Sequence, residues 1–255
     1  GSEMCIRDSY YNGITPKVVA KVGEKVKAGS VLMIDKNRPE IKFVSPVSGE
    51  VTAVNRGEKR KVLSVVVKPE AQIEYEDFGK KNVASLKREE VKEAILHAGM
   101  WPFIKQRPYD IVASPADEPR DIFVSAFYSA PLAPNFDFVV KGQEVDFQTG
   151  LDALAKLTDG KVYVGIRKGS SVSVKGVETV EVEGPHPAAN VGVQINHIKP
   201  INKGEVVWTV NPADVIVIGR LFNKGIADFS RLVVITGSET TERGYVLSLI
   251  HISEP

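Results

Sequence analysis

The feature that most constrains the fold is an almost uninterrupted apolar segment in the middle of the chain. Residues 121–129 read DIFVSAFYS and lack the polar alternation of a strand that has one face in water. A strand of this kind is covered on both faces, which is typical of a parallel sheet between helices. A helix predicted over 143–157 and a strand over 161–166 follow, so the sequence predicts a strand–helix–strand unit with a right-handed crossover.

Further elements extend this predicted α/β domain on both sides. Ser85 is a candidate N-cap for a helix that ends at Gly99, and the proline-rich stretch 101–119 is typical of irregular surface chain. Alternating valines predict a hairpin over 169–184 and a strand over 231–236 follows later, so we expect a mixed sheet. Asn211 and Pro212 predict a helix start, and Gly219 on its buried stripe indicates close packing against the sheet.

The first part of the chain has a different pattern. Over 17–69 the sequence is rich in Val, Ile and Phe and is broken every few residues by Gly or Pro, which predicts a small all-β unit. Segments 31–35 and 41–44 flank Lys36-Asn37-Arg38-Pro39 and form a candidate hairpin. We therefore expect a β module over 10–72 and an α/β domain over 73–245.

The two ends stand apart from these domains. Residues 1–9, which include Cys5, and residues 246–255, which include His251, show neither the periodicity nor the caps of natural elements. Both resemble a tag or translated sequencing adapter, so we expect artefact sequence at both ends of a fragment. The alternative is an ordinary start and a terminal strand; under the favoured artefact interpretation, no element is predicted in either segment.

Composition excludes several classes of protein. With Lys+Arg 33 against Asp+Glu 32, the formal net charge is +1, which gives no broad electrostatic footprint for nucleic acid. A single cysteine excludes an internal disulfide framework and a cysteine-ligated iron–sulfur cluster on this chain. The longest apolar runs fall far short of the roughly 20 residues of a membrane-spanning helix.

Motifs for common chemistries are missing from the sequence. No three-glycine dinucleotide fingerprint follows the covered strand, and Pro131 and Pro134 remove amide donors where a phosphate cradle would need them. No Gly-x-Ser-x-Gly elbow is present, and no set of three or four ligands suggests zinc. Aromatic residues cluster around the strand and favour core packing over stacking on a quinone ring; they are Phe123, Phe127, Tyr128, Phe136 and Phe138.

The most function-like local sequence is Gly184-Pro185-His186-Pro187. Its two prolines restrict the backbone and present the imidazole of His186 in a surface-seeking turn. The alternative is a histidine that bonds to a neighbouring carbonyl in a proline-rich loop. His97 lies in a predicted helix, and His197 alternates with apolar residues.

Two resemblances carry these observations further. The turns around 22–29 and 45–51 match those of biotinyl and lipoyl carrier domains, so the first module resembles a barrel-sandwich fold. A longer match over about 17–237 resembles the A subunit of the bacterial sodium-translocating NADH:quinone reductase. It includes FVSPVSGEVTAVNRGE from Phe43, IFVSA from Ile122, DFQTGL from Asp146, LTDGKVY from Leu157 and GPHPA from Gly184.

The second resemblance implies a fold and a function. It implies a barrel-sandwich module ahead of a Rossmann-like α/β domain that resembles the flavoprotein subunit of respiratory complex one, without its flavin and cluster motifs. It implies a peripheral subunit on the cytoplasmic face of the bacterial inner membrane, which binds no cofactor itself and docks on integral-membrane and flavin-bearing subunits. NADH, flavins and Fe–S clusters would sit on other subunits, and quinone would approach Gly184, Pro185, His186 and Pro187.

The rival hypothesis is a carrier or scaffold module that bears a covalent group on Lys36. Lys36 lies at the predicted hairpin tip, but it is followed by Asn37 instead of the methionine that flanks the modified lysine of carriers. We therefore expect the purified chain to have its unmodified mass. Intact mass spectrometry checks this, and a discrete increment that maps to Lys36 would favour the carrier hypothesis.

Overall fold

The computed structural model describes residues 4–7, 11–58 and 61–248. The first module contains seven short strands in two antiparallel sheets, with orders β1-β7-β6-β3 and β2-β4-β5. Apolar side chains from both sheets pack into one core, as expected for a barrel-sandwich module. The strands are β1 Met4–Arg7, β2 Pro16–Val18, β3 Lys25–Val26, β4 Val31–Asp35, β5 Lys42–Val44, β6 Gly49–Arg56 and β7 Val62–Pro69.

The second domain is built on a mixed six-stranded sheet. Its order is β12-β11-β10-β13-β8-β9, in which the first four strands are parallel and the last two join antiparallel. A separate hairpin, β14 and β15, follows the last helix. The elements are α1 Arg88–His97, β8 Ile104–Arg107, β9 Ile111–Val112, β10 Ile122–Ser125, α2 Phe136–Val139, α3 Glu144–Lys156, β11 Val162–Arg167, β12 Glu178–Val182, α4 Val191–Ile198, β13 Val207–Val210, α5 Pro212–Lys224, β14 Arg231–Ile235 and β15 Gly244–Ser248.

Both faces of the parallel strands are covered, which confirms the prediction from residues 121–129. Helices α3 and α5 pack side by side on one face. On the other face, Ile195 of α4 packs with Phe123 and Val207 of the sheet. None of the helices in the described part of the chain combines the length and apolar character that a bilayer crossing requires.

Close contact between α3 and α5 depends on two glycines. A Cβ atom added to Gly219 would lie 1.7 Å from the Asp146 carbonyl oxygen, and one added to Gly150 would lie 2.0 Å from the Val215 carbonyl oxygen. At each of these glycines, the backbone of the other helix therefore lies closer than any side chain would allow. Gly219 permits close packing as predicted, but the contact is with a helix and not with the sheet.

Three expectations about individual elements of the α/β domain are wrong. The segment 169–184 forms no hairpin, because only β12 is a strand and it pairs in parallel with β11. The stretch 101–119 is not surface chain throughout, since Trp101 is fully buried and β8 and β9 extend the sheet. Helix α1 begins after Lys87 instead of Ser85, because the Glu90 carboxylate accepts a hydrogen bond from the Lys87 amide.

The ends also differ from expectation. Met4–Arg7 pairs with β7, and Gly244–Ser248 pairs with β14, although no element is predicted in 1–9 or 246–255. The rest of these two segments, 1–3, 8–9 and 249–255, lies outside the described residues. The boundaries at 72/73 and 245/246 and the origin of the two ends stay predictions.

The two domains share a continuous hydrophobic core and several polar contacts. Arg38 at the tip of the β4–β5 hairpin contacts Asp35 at 2.9 Å and donates to the Val112 and Gly13 carbonyls at 3.3 and 3.1 Å. A Cβ atom at Gly99 would lie 2.4 Å from Val44 Cγ1, so the modules meet there without a gap. We call this boundary between the two domains the seam. The candidate site lies at the seam.

We expect Gly219→Ala to destabilise the protein because the added methyl group would overlap the Asp146 carbonyl. Overpacking of this kind costs about 1–3 kcal/mol, so the midpoint of urea unfolding should fall clearly. Gly192→Ala in α4 is the matched control, because its Cβ would meet no atom within 4 Å. Gly192→Ala should leave the free energy of unfolding unchanged or raise it slightly. Equal midpoints of urea unfolding for the two variants would contradict the prediction.

Candidate ligand site at the domain seam

The strand order creates a crevice between β10 and β13. From β10 the chain proceeds to β11 and β12 on one side, and then returns through α4 to place β13 on the other side. In open α/β sheets, ligands bind at such a switch point, outside the carboxyl ends of the strands. Ser125 ends β10, and Asn211 follows β13 as the N-cap of α5. Both residues line a cavity at this position.

This cavity, called the seam cavity below, has a volume of about 870 Å³. Its walls come from both modules, with Phe43, Val44 and Pro46 from the first and the strand ends and helix starts from the second. A volume of this size suits a cofactor or drug-sized ligand. Its aromatic and charged lining residues are Tyr11, Phe43, Phe103, Lys105, Arg107, Asp110, Phe127, Tyr128, Asp214, Phe229 and Arg231.

Aromatic rings form much of the wall. Tyr11 meets Phe43 edge to face, with ring centroids 4.8 Å apart. The Arg231 guanidinium lies over the Phe103 ring at 5.3 Å. Flat apolar walls of this kind accommodate a planar ring by stacking or edge contacts.

Charged side chains, some buried and some partly exposed, also line the seam cavity. The Asp214 carboxylate, in the first turn of α5, pairs with the Arg231 guanidinium. Arg107 pairs with Asp110 at 3.3 Å. The Lys105 ammonium lies 4.8 Å from the centroid of the Tyr11 ring and is buried.

Burial shifts the acidities of these groups. Burial raises the pKa of Tyr11 and of Tyr128 to about 12, so both hydroxyl groups stay protonated at neutral pH. Burial also raises the pKa of the Asp214 carboxyl, although Arg231 acts in the opposite direction. The pKa of Lys105 is lowered by burial, and the nearby Asp110 and Asp214 carboxylates oppose this change.

A second cavity of about 660 Å³, called the loop cavity below, adjoins the first. Gly184, Pro185 and His186 line it together with Arg167 and Lys168. All four residues of the Gly184-Pro185-His186-Pro187 turn are exposed, as the two prolines predict, and Pro187 does not line the cavity. Phe127 and Tyr128 contribute to both cavities.

Hydrogen bonds connect the two cavities. Gln194 Nε2 donates to Ser125 Oγ at 2.9 Å, and Ser125 Oγ donates to the Ala189 carbonyl at 2.7 Å. The Ala189 amide donates to Ser129 Oγ at 3.0 Å, and this oxygen lies 3.2 Å from His186 Nδ1. The His186 loop is thus held to the end of β10 through side chains that flank both cavities.

Of the other candidates from the sequence, the two histidines and Phe123 lie outside both cavities, whereas Phe127, Tyr128 and Phe136 line at least one of them. His197 lies on the exposed side of α4 with Nδ1 2.8 Å from the Val193 carbonyl oxygen, and His97 packs edge to face on Phe78. Of the aromatic cluster, Phe123 stacks on Tyr163, and Phe136 is buried against Phe147. Among the described residues, no group of three or more His, Cys, Asp or Glu is arranged to hold a metal ion.

Sequence reasoning misses the charged members of the seam cavity. Lys105 lies in the proline-rich stretch that is predicted to be irregular, and Tyr11 follows a segment predicted to be artefact. Arg231 lies in a predicted strand, and nothing in the sequence around it indicates a ligand site. A signal exists for Asp214, because the helix start at Asn211 follows a buried strand and helix starts at strand ends commonly border ligand crevices.

Comparisons with known proteins agree on one family. The model of the NqrA N-terminal barrel-sandwich hybrid domain matches residues 2–70, and the model of the NqrA second alpha/beta domain matches residues 86–227. The A subunit of the Na(+)-translocating NADH-quinone reductase of Neisseria meningitidis serogroup A is 37% identical over 246 residues, which cover 94% of this chain and 55% of the relative.

Other relatives give the same result. The corresponding A subunits of Hahella chejuensis and Yersinia pseudotuberculosis are 38% and 35% identical over 232 and 237 residues, covering 89% and 91% of this chain and 52% and 53% of the relatives. The chain therefore spans about half the length of the curated relatives it matches. With its barrel-sandwich module, its α/β domain and these relatives, the chain belongs to the NqrA family, the A subunits of the Na(+)-translocating NADH-quinone reductase.

Proposed function

We propose that the chain is a docking and quinone-binding part of a sodium-pumping NADH:quinone oxidoreductase. It would sit at the cytoplasmic face of the membrane, against integral-membrane and flavin-bearing subunits. Those subunits would hold the flavins and Fe–S clusters, transfer electrons from NADH and move Na⁺. The chain itself would contribute shape, contacts and a ligand site without a resident cofactor.

The observation that carries the quinone proposal is the pair of adjoining cavities at the carboxyl ends of β10 and β13. The seam cavity offers aromatic walls from both domains, and the loop cavity places a histidine beside them. A quinone head group is a flat apolar ring with two carbonyl oxygens that accept hydrogen bonds. The aromatic walls suit the ring, and polar groups at the edge suit the oxygens.

His186 is the residue that we propose as donor to a quinone oxygen. Its ring is exposed, and Ser129 Oγ at 3.2 Å from Nδ1 fixes the ring orientation. If Nδ1 interacts with this hydroxyl, Nε2 is free to donate a hydrogen bond into the loop cavity. Gly184, Pro185 and Pro187 would act by holding the turn in which the imidazole sits.

Two observations support docking on other subunits: the names of the relatives, and the apolar side chains exposed on the described part of this chain. The relatives are named as one lettered subunit of a reductase. Several large apolar side chains are exposed on this chain, among them Leu132 and Phe138 near the loop cavity and Leu247 in the β14–β15 hairpin. Such side chains are candidates for contacts with partner subunits.

We expect His186→Ala to weaken the binding of a soluble quinone, 2,3-dimethoxy-5-methyl-1,4-benzoquinone, by about 3- to 10-fold because one hydrogen bond is lost. Isothermal titration calorimetry measures the affinity, and the amide resonances of Gly184 and His186 should shift during a titration of the wild-type chain. His197→Ala is the matched control, since His197 lies on α4 outside both cavities. Unshifted resonances at near-saturating quinone would discard the site at His186.

We also expect the chain to co-purify with the integral-membrane subunits of its complex. Tagged membrane subunits should retain the folded chain on an affinity resin, because the docking surface belongs to the folded state. Resin that carries the tag without the membrane subunits is the control. Recovery of all folded chain in the flow-through would contradict the docking proposal.

A further inference from the structure

We propose that the seam cavity selects aromatic ligands that carry a negatively charged ring oxygen, such as the anionic forms of a quinone, and that Lys105 supplies the countercharge. This inference rests on the proposed quinone function and adds the charge state of the ligand and the residue that recognises it. It concerns the seam cavity, whereas His186 belongs to the loop cavity.

The first observation is a charge imbalance in the cavity wall. Among the described lining residues, three are cationic, Lys105, Arg107 and Arg231, and two are anionic, Asp110 and Asp214. Arg231 pairs with Asp214 and Arg107 pairs with Asp110. Lys105 remains as the cation without a carboxylate in contact, so the wall has a formal charge of +1.

The second observation is the surroundings of the Lys105 ammonium. Its Nζ atom is buried and has no hydrogen-bond acceptor among the described residues. The face of the Tyr11 ring, 4.8 Å away, offers only a cation–π contact. A buried ammonium group without acceptors is costly, and an anionic oxygen from a ligand would remove this cost. The four-carbon stem of the lysine allows Nζ to move toward such an oxygen.

The third observation is the orientation of α4. Its first residues, Val191, Gly192 and Val193, line the seam cavity, so the positive end of the helix dipole faces it. The first turn contains no acidic residue, and the N-cap Asn190 makes no side-chain capping hydrogen bond. At the start of α5, by contrast, Asp214 occupies the corresponding turn. The field of α4 therefore adds to the positive potential of Lys105.

The neighbouring hydroxyl groups reinforce this selection. Because burial raises the pKa of Tyr11 and Tyr128 to about 12, both phenols stay neutral near an anionic ligand and do not repel it. A phenol that stays protonated can also donate a hydrogen bond. Phe43, Phe103 and Phe229 add apolar area for the ring itself.

Two naphthoquinones of the same ring system test the inference. We use 2-hydroxy-1,4-naphthoquinone, which is ionised at neutral pH, and 2-methyl-1,4-naphthoquinone, which is uncharged. Isothermal titration calorimetry of the wild-type chain should show about tenfold tighter binding of the hydroxy compound, because it makes a charge-assisted hydrogen bond. Lys105→Met should reduce this preference to about twofold or less while it leaves the affinity for the methyl compound nearly unchanged.

Two further variants keep the outcome interpretable. Lys105→Arg retains the charge and should retain the preference, which distinguishes a lost charge from a disturbed fold. Lys168→Met removes an exposed cation of the loop cavity, where Lys168 pairs with Glu183 at 2.7 Å, and should leave the preference intact. Circular dichroism melting confirms that each variant is folded.

The outcomes separate this inference from the proposed function. If neither naphthoquinone binds, the quinone proposal itself fails. If both bind the wild type equally, the quinone proposal stands and the charge selection is overturned. If the preference exists but disappears in Lys168→Met instead of Lys105→Met, the anion binds in the loop cavity and the role of Lys105 is overturned.

Discussion

The candidate site depends on the contact between the β module and the α/β domain. Arg38 makes this contact specific, because its guanidinium bonds to Asp35 in its own hairpin and to the Val112 carbonyl at the edge of the large sheet. The Asp35 side chain is fully buried, and its oxygens also accept the amides of Thr15 and Asn37. One arginine with several donors thus closes a polar network at the boundary of the two domains, beside the apolar core that they share. Without this alignment the seam cavity would lack the wall formed by Phe43, Val44 and Pro46.

The large sheet supplies the other half of the site. Because β10 lies between β11 and β13 and is parallel to both, the chain leaves two neighbouring strand ends open at the same edge. The starts of α4 and α5 border the opening. At the opposite, amino end of the same strand, Asp121 lies just ahead of β10 and bonds to Arg120 and to the Lys161 amide. Burial raises the pKa of this carboxyl, but hydrogen bonds from Lys199, the Lys161 amide and Arg120 outweigh burial and hold the pKa below its usual value.

The regular parts of the fold could be predicted from the sequence. The unbroken apolar segment 121–129 indicates a covered parallel strand, and the Asn211–Pro212 start and Gly225 stop delimit α5 correctly. Periodicity fails where tertiary contacts decide. The valines of 169–184 alternate, yet β12 pairs in parallel with β11 because that edge of the sheet is available. Trp101 is buried inside a proline-rich stretch because β8 and β9 extend the sheet beside it.

Sequence reasoning could predict only part of the candidate site. The turn Gly184-Pro185-His186-Pro187 is exposed, as its two prolines indicate, and its first three residues line the loop cavity, while its role in ligand binding stays a prediction. Lys105 gives no such local signal, and Asp214 gives only that of a helix start after a buried strand. Their importance comes from residues more than 90 positions apart that the fold places around one space, and neither spacing nor composition records that proximity.

The mixed origin of the seam cavity wall has an energetic consequence. A molecule in contact with Phe43 of one domain and Phe103 of the other would have an affinity that depends on how well the two domains are aligned. Thermodynamic linkage makes this relation reciprocal: whatever strengthens the alignment strengthens binding, and occupancy strengthens the alignment to the same extent. A partner that tilts one domain against the other would thereby release the molecule without touching it.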